Sequence, residues 1–201
     1  MTPLEPTTAT WQVRGARQDL WPTRIYQRAT PTGPDTDALA EEITTREAAD
    51  TSISLGVTAA RKSAPDVLSW PLPAVDSLNG WIEEAVLTLT DASPRTALKV
   101  SGWAVHYRTG GFHELHAHHD SAVSGVYYLR TAADPTGALE LVDPRPAHLA
   151  TETAGPKAVL EVVPSSGLLI AFPSWLRHGV APHDSTSPRL CIAFNVTMET
   201  R

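Results

Sequence analysis

Between His113 and His119 the chain places four of its eight histidines, with Asp120 next and the run SAVSGVYYL, residues 121–129, behind it. Packing alone gives no reason to crowd imidazoles in this way, whereas a metal does. In an extended strand successive side chains point to opposite faces, so His116, His118 and Asp120 share a face and His119 points away. The step His118-x-Asp120 therefore aims two donors at one point. An ion held by an imidazole and a carboxylate needs at least one more donor from elsewhere. His178, in the segment FPSWLRHGV, supplies it 178 − 120 = 58 residues downstream.

Two histidines and one carboxylate on one octahedral face leave three positions open, the arrangement of non-haem Fe(II) oxygenases. The segment after His178 strengthens this reading. From Arg189 to Val196 the pattern alternates, with Arg189, Cys191, Ala193 and Asn195 on one face and Leu190, Ile192, Phe194 and Val196 on the other. That is a strand with one apolar face and one face lining something polar. Arg189 on the polar face is placed to hold a carboxylate through paired charge-assisted hydrogen bonds.

Tyr107, His118-x-Asp120, the strand Val126-Tyr127-Tyr128-Leu129, His178 and Arg189, in that order, resemble the Fe(II)- and 2-oxoglutarate-dependent dioxygenases. The resemblance is to small bacterial members with an H-x-H region before SGVYY and a distal FPSW-x-x-H, and to the prolyl-hydroxylase branch. It runs from about Trp103 to Asn195. It implies Fe(II), 2-oxoglutarate and O2 as cofactor and co-substrates, with His118, Asp120 and His178 on the iron and Arg189 on the distal carboxylate of 2-oxoglutarate. It also places Tyr107 and Tyr128 against the co-substrate. Cys191 stands in the co-substrate pocket where many relatives have Ser, and a thiol is the weaker donor. Some relatives have no acidic residue at the position of Asp120, which makes His116 a reserve ligand.

The fold expected is mainly β, a double-stranded β-helix (jelly roll, cupin-like) backed by N-terminal α-helices. Residues 1–201 read as a single domain, with 1–96 as helical and irregular support and 97–201 as the jelly-roll core. One helix is expected from Asp35 or Thr36 to about Ala49. A second begins at Asp76 or Ser77, where Leu78, Trp81, Ile82, Ala85, Val86 and Leu89 recur at three- and four-residue spacing. Eight short strands follow, at about 97–108, 113–119, 123–131, 138–142, 158–163, 167–172, 178–181 and 189–197. A strand is also expected around Arg24-Ile25-Tyr26, and residues 143–157 read as a rim or lid loop.

Scattered basic residues and a net charge of −6 argue against nucleic-acid or anionic membrane partners. One cysteine excludes an intrachain disulfide, the N-terminus lacks the pattern of a secretory signal, and no segment approaches a membrane span. A cytoplasmic location is expected. The partner expected is a small-molecule substrate, amino-acid-like or a natural-product intermediate, contacted by His116, Arg145 and Trp103. Two other functions remain open at this level: a cupin-like metal dioxygenase or isomerase that does without 2-oxoglutarate, and a non-enzymatic module stapled by a metal.

Overall fold

The computed structural model describes residues 22–49, 57–133, 136–145 and 158–199. Nine strands form one curled sheet: β1 (Tyr26–Ala29), β2 (Val57–Lys62), β3 (Leu98–His116), β4 (Val123–Arg130), β5 (Leu139–Val142), β6 (Val159–Val162), β7 (Leu168–Pro173), β8 (His178–His183) and β9 (Arg189–Met198). The order is β1-β7-β4-β9-β3-β8-β5-β6, and β2 pairs with β3. Helices α1 (Pro34–Ala49) and α2 (Pro73–Leu89), with a short 3-10 turn η1 (Val67–Ser69), precede most of the sheet in the chain.

The expected strands at 97–108 and 113–119 are one strand of 19 residues. Gly110, at φ 80°, and register shifts between Gly111 and His116 let the chain bend without ending it. The first part of β3 pairs with β9 and the last part with β8, so a single strand passes from one side of the fold to the other. Val126, Tyr128 and Phe172 from β4 and β7 then face Leu139 and Val180 from β5 and β8 across one cavity, the closed jelly-roll form.

Helix α2 begins three residues before the expected start, because Pro73 occupies its first turn, where a missing N–H costs nothing. Ala74, Val75, Leu78, Ile82, Ala85 and Val86 of α2 pack with Leu39 and Ile43 of α1 on the sheet residues Leu190, Ile192, Phe194 and Val196. The alternation of β9 is realised: its even residues meet the helices, and its odd residues, from Arg189 to Asn195, line the cavity. The same division splits Tyr127, packed with Trp81 under the helices at 5.9 Å between ring centroids, from Tyr128 inside. Gly125 lies where strand and ring meet; a Cβ there would stand 2.3 Å from Phe194 Cζ and 2.5 Å from the Ile170 carbonyl oxygen.

Residues of the N-terminal part add β1 and β2 to the sheet as well as the two helices. The lid expected at 143–157 lies mostly outside the described residues, which stop at Arg145 and resume at Ala158. Among the described residues no helix is long and apolar enough to cross a membrane.

Candidate metal centre and its cavity

At one end of the cavity the imidazoles of His116, His118 and His178 converge, with one ring nitrogen from each lying within 4.8 Å of the others. The elements that place them differ. His116 ends β3 and pairs with His178, which opens β8. His118 lies two residues beyond β3, tethered by its backbone N–H donating to the Ser174 carbonyl at 2.9 Å. Ring centroids are 4.3 Å apart for His116 and His178, 5.0 Å for His116 and His118, and 5.5 Å for His118 and His178.

Two of the three have their ring orientation fixed by backbone carbonyls. His178 Nδ1–H donates to Leu176 O at 2.8 Å and His116 Nδ1–H to Glu114 O at 2.7 Å. Those contacts assign the proton to Nδ1 and leave Nε2 with a free lone pair, the state a metal requires. Burial lowers the pKa of all three; that of His178, 7 % exposed, falls to about 4. The set is therefore neutral at pH 7 and ready to ligate without first losing protons.

Asp120 does not converge with these histidines. The extended backbone that would have aligned it with His118 ends at His116, and the chain bends at His119 and Asp120. Asp120 is exposed, and its Oδ1 accepts from Ser121 Oγ at 3.3 Å. The converging donors are three imidazoles, with His116 in the position that the strand argument gave to Asp120.

At the other end stands Arg189, 1 % exposed and stacked on the Tyr107 ring at 4.2 Å. Its Nη1 donates to the carbonyls of Thr136, at 3.1 Å, and Gly137. Gly137 has φ 72°, and a Cβ there would stand 2.8 Å from that Nη1, so a side chain at this position would displace the guanidinium. Arg189 Nε is buried and has no hydrogen-bond partner, and the same holds for Trp103 Nε1 on the cavity wall. Each is a donor left open for a ligand's acceptor.

Tyr107 and Tyr128 line the same cavity, and burial raises both phenols far above their ordinary pKa, so they act as donors and never as anions. Cys191 lies between them on β9; burial pushes its thiol up to about 11, and Sγ contacts Val105 O at 3.7 Å. Asn195 accepts from Ser124 Oγ through Oδ1 at 2.7 Å, leaving its amide N–H groups for the cavity.

Of the residues expected at the site, Tyr107, Trp103, His116, His118, Tyr128, His178, Arg189 and Cys191 line one cavity, whereas Arg145 does not. Arg145 is exposed and doubly bonded to Asp143, with Nη2 to Oδ2 at 2.6 Å. Sequence reasoning missed His113. Its ring stacks on that of His116 at 4.3 Å and 30°, and burial drives its pKa down to about 3. A spacing of three would put His113 and His116 on opposite faces of a regular strand; the bulge between them brings both inward.

Residues 101–195 match the family described as "Putative 2OG-Fe(II) oxygenase". No curated protein sequence matches the chain significantly. Among solved structures, the fold is similar to a prolyl-4-hydroxylase of Pseudomonas putida at 19% identity and TM-score 0.58, covering 89% of this chain and 94% of that one. It is also similar to HygX of Streptomyces hygroscopicus, solved with nickel, 2-oxoglutarate and hygromycin B, at 16% identity and TM-score 0.58, covering 87% and 83%. A third is a prolyl hydroxylase of Trichoplax adhaerens, solved with a hypoxia inducible factor peptide fragment, at 14% identity and TM-score 0.62, covering 86% and 83%. These likenesses establish the jelly roll, and the family match covers residues 101–195, which carry the converging histidines and Arg189.

Proposed function

We propose that this oxygenase hydroxylates a small molecule, with His116, His118 and His178 holding Fe(II) and Arg189 holding the distal carboxylate of 2-oxoglutarate. The observation that carries the reading is the cavity with two ends: three neutral imidazole nitrogens within 4.8 Å of one another at one, and a buried guanidinium with an unpartnered Nε at the other. These residues fit the groups they would hold. Neutral nitrogen donors suit a divalent first-row ion, and a guanidinium suits a carboxylate.

Iron, with 2-oxoglutarate and O2, supplies oxidising power sufficient for an unactivated C–H bond, and 2-oxoglutarate leaves as succinate and carbon dioxide. The chain supplies the rest. The carbonyls of Glu114 and Leu176 fix the ligand rings before the ion arrives. Tyr107 holds the Arg189 guanidinium over its ring, and the Tyr107 and Tyr128 phenols remain protonated as donors. Val105, Val126, Leu139 and Phe172 make the wall apolar and exclude water from the reacting region. Trp103 Nε1–H and the Asn195 amide, inside the cavity, are the polar contacts proposed for the substrate or the proximal end of 2-oxoglutarate.

Anaerobic titration tests the reading. The Fe(II)-loaded chain should develop a visible charge-transfer band on adding 2-oxoglutarate, and Arg189→Ala should require far more co-substrate to reach it while binding the same iron. A chain that binds iron yet shows no band, and forms no succinate in air, would refute the proposal and favour the 2-oxoglutarate-independent alternative.

A further inference from the structure

Lys62 stands at the end of β2, on the face of the sheet that carries the converging histidines. In an antiparallel pair, residues opposite one another share a face. Ala60 and Lys62 pair with Tyr107 and Val105, which line the cavity, whereas Arg61 between them pairs with His106 and turns outward to Glu47, its Nε 3.8 Å from Oε1. The Lys62 ammonium lies 3.4 Å from His113 Nε2, and the His113 ring stacks on that of His116 at 4.3 Å. Its charge therefore sits one imidazole away from the proposed ligand set.

This cation is uncompensated. Lys62 is half-buried, and its side chain has no carboxylate in ion-pair reach among the described residues. Its polar contact, His113, is neutral, and burial lowers the ammonium pKa with no acid acting to restore it. The carboxylate that acts on this cluster is Asp120, and it acts on His118. The ligand set adds no negative charge either, since three neutral imidazoles leave a divalent ion its full charge. Bound 2-oxoglutarate is a dianion: one carboxylate answers Arg189 and the other goes to the ion, which stays partly uncompensated, while Lys62 is not answered at all. A half-buried cation beside a metal cation favours a ligand that arrives with negative charge. A cationic substrate would meet repulsion from both, and a neutral one would leave Lys62 unanswered.

We propose that Lys62 is a specificity-determining residue of the oxygenase centre, anchoring the carboxylate of an anionic small-molecule substrate at the metal end of the cavity. The anchor holds a C–H bond of the substrate's body toward the histidines. A single carboxylate matches a single ammonium, whereas a phosphate dianion would lose more solvation than one ammonium restores. This inference deepens the hydroxylase reading of the same site and rests on it.

The probe is 4-fluorophenylacetate, followed by fluorine NMR on the full chain loaded with Mn(II) and saturated with 2-oxoglutarate, so that the Arg189 end is filled. Paramagnetic broadening falls steeply with distance, so a probe held at Lys62 should broaden saturably with Mn(II) and hardly at all with Zn(II). Lys62→Met should weaken the probe roughly three- to tenfold, the effect of one charge-assisted hydrogen bond discounted for solvent at a half-buried position. Arg61→Met removes the same charge from the outward face of β2 and should leave the affinity as it was. The neutral 4-fluorophenylacetamide should bind more weakly than the acid, a comparison that needs only the unmodified chain and stands even if Lys62→Met folds poorly. Equal binding of acid and amide, unchanged affinity in Lys62→Met, or equal losses in Lys62→Met and Arg61→Met would each overturn the proposal. The visible charge-transfer band of the Fe(II)-loaded chain with 2-oxoglutarate separates the two readings. A chain with the band and no saturable broadening refutes the Lys62 anchor alone, and a chain with neither refutes the oxygenase reading beneath it.

Discussion

Replacing His116 and Asp120 separately by alanine distinguishes a three-histidine centre from one built on His118, Asp120 and His178. A four-ligand zinc site is worth about 10–16 kcal/mol at neutral pH, so one ligand carries roughly 3 kcal/mol, about two orders of magnitude in Kd. A ring nitrogen of His116 is one of three converging donors, so His116→Ala should weaken the metal by about that factor. Asp120 is exposed on the bend beyond the strand and is not among the three converging donors. The attraction of two unit charges 4 Å apart in water is only about 1 kcal/mol and falls with distance, so Asp120→Ala should change the Kd by no more than about fivefold. Competition of Co(II) against a fluorescent chelator, at fixed ionic strength, measures both. A loss of two orders of magnitude in Asp120→Ala, with His116→Ala near the unmodified protein, would refute the three-histidine assignment.

Arg189→Ala should raise the apparent KM for 2-oxoglutarate by roughly 2–5 kcal/mol in equivalent free energy while leaving iron affinity nearly unchanged, and Arg189→Lys should recover only part of the loss, as measured by succinate release. Gly125→Ala should cost about 1–3 kcal/mol, because the new methyl meets Phe194 Cζ and the Ile170 carbonyl, and thermal unfolding should report a Tm several degrees lower. Without metal, the chain should lose stability as pH falls from about 6.5 toward 4. Over that window the unfolded state protonates His178 and His113, whereas the folded state, with pKa values of about 4 and 3, resists. Urea midpoints at pH 7.5 and 5.0 check the sign, and a higher midpoint at pH 5.0 would contradict it. With His116, His118 and His178 all on the ion, no ligand position is vacated for a halide, so mass spectrometry of turnover in chloride should find hydroxylated and no chlorinated product.

Features with a strict period of two were legible in the sequence. The alternation of β9 fixed which of its residues face the helices and put Arg189, Cys191 and Asn195 on the cavity wall. His118 and His178 were legible as partners because only a shared site explains histidines in both segments. Where the backbone departs from the ideal strand, a period of two no longer tells which way a side chain faces. The chain bends at His119 and Asp120, where Asp120 is exposed, and the register shifts between His113 and His116 bring both imidazoles to the cavity wall. The pair Gly110-Gly111 read as a break between two strands, yet glycine's freedom at φ 80° is what lets one strand continue.

The long strand β3 also governs when the centre can come into being. Its end and its middle reach partners far along the chain: His116 meets His178 after 178 − 116 = 62 residues, and Tyr107 meets Arg189 after 189 − 107 = 82. Closing such loops costs entropy before any contact repays it, and sheets built from distant pairings fold slowly. During synthesis, the histidines of residues 113–119 therefore emerge long before their partner strands and cannot form the centre alone. Iron capture becomes a late event, available only after β8 has docked, and the co-substrate pocket becomes available only after β9 has closed beside β3.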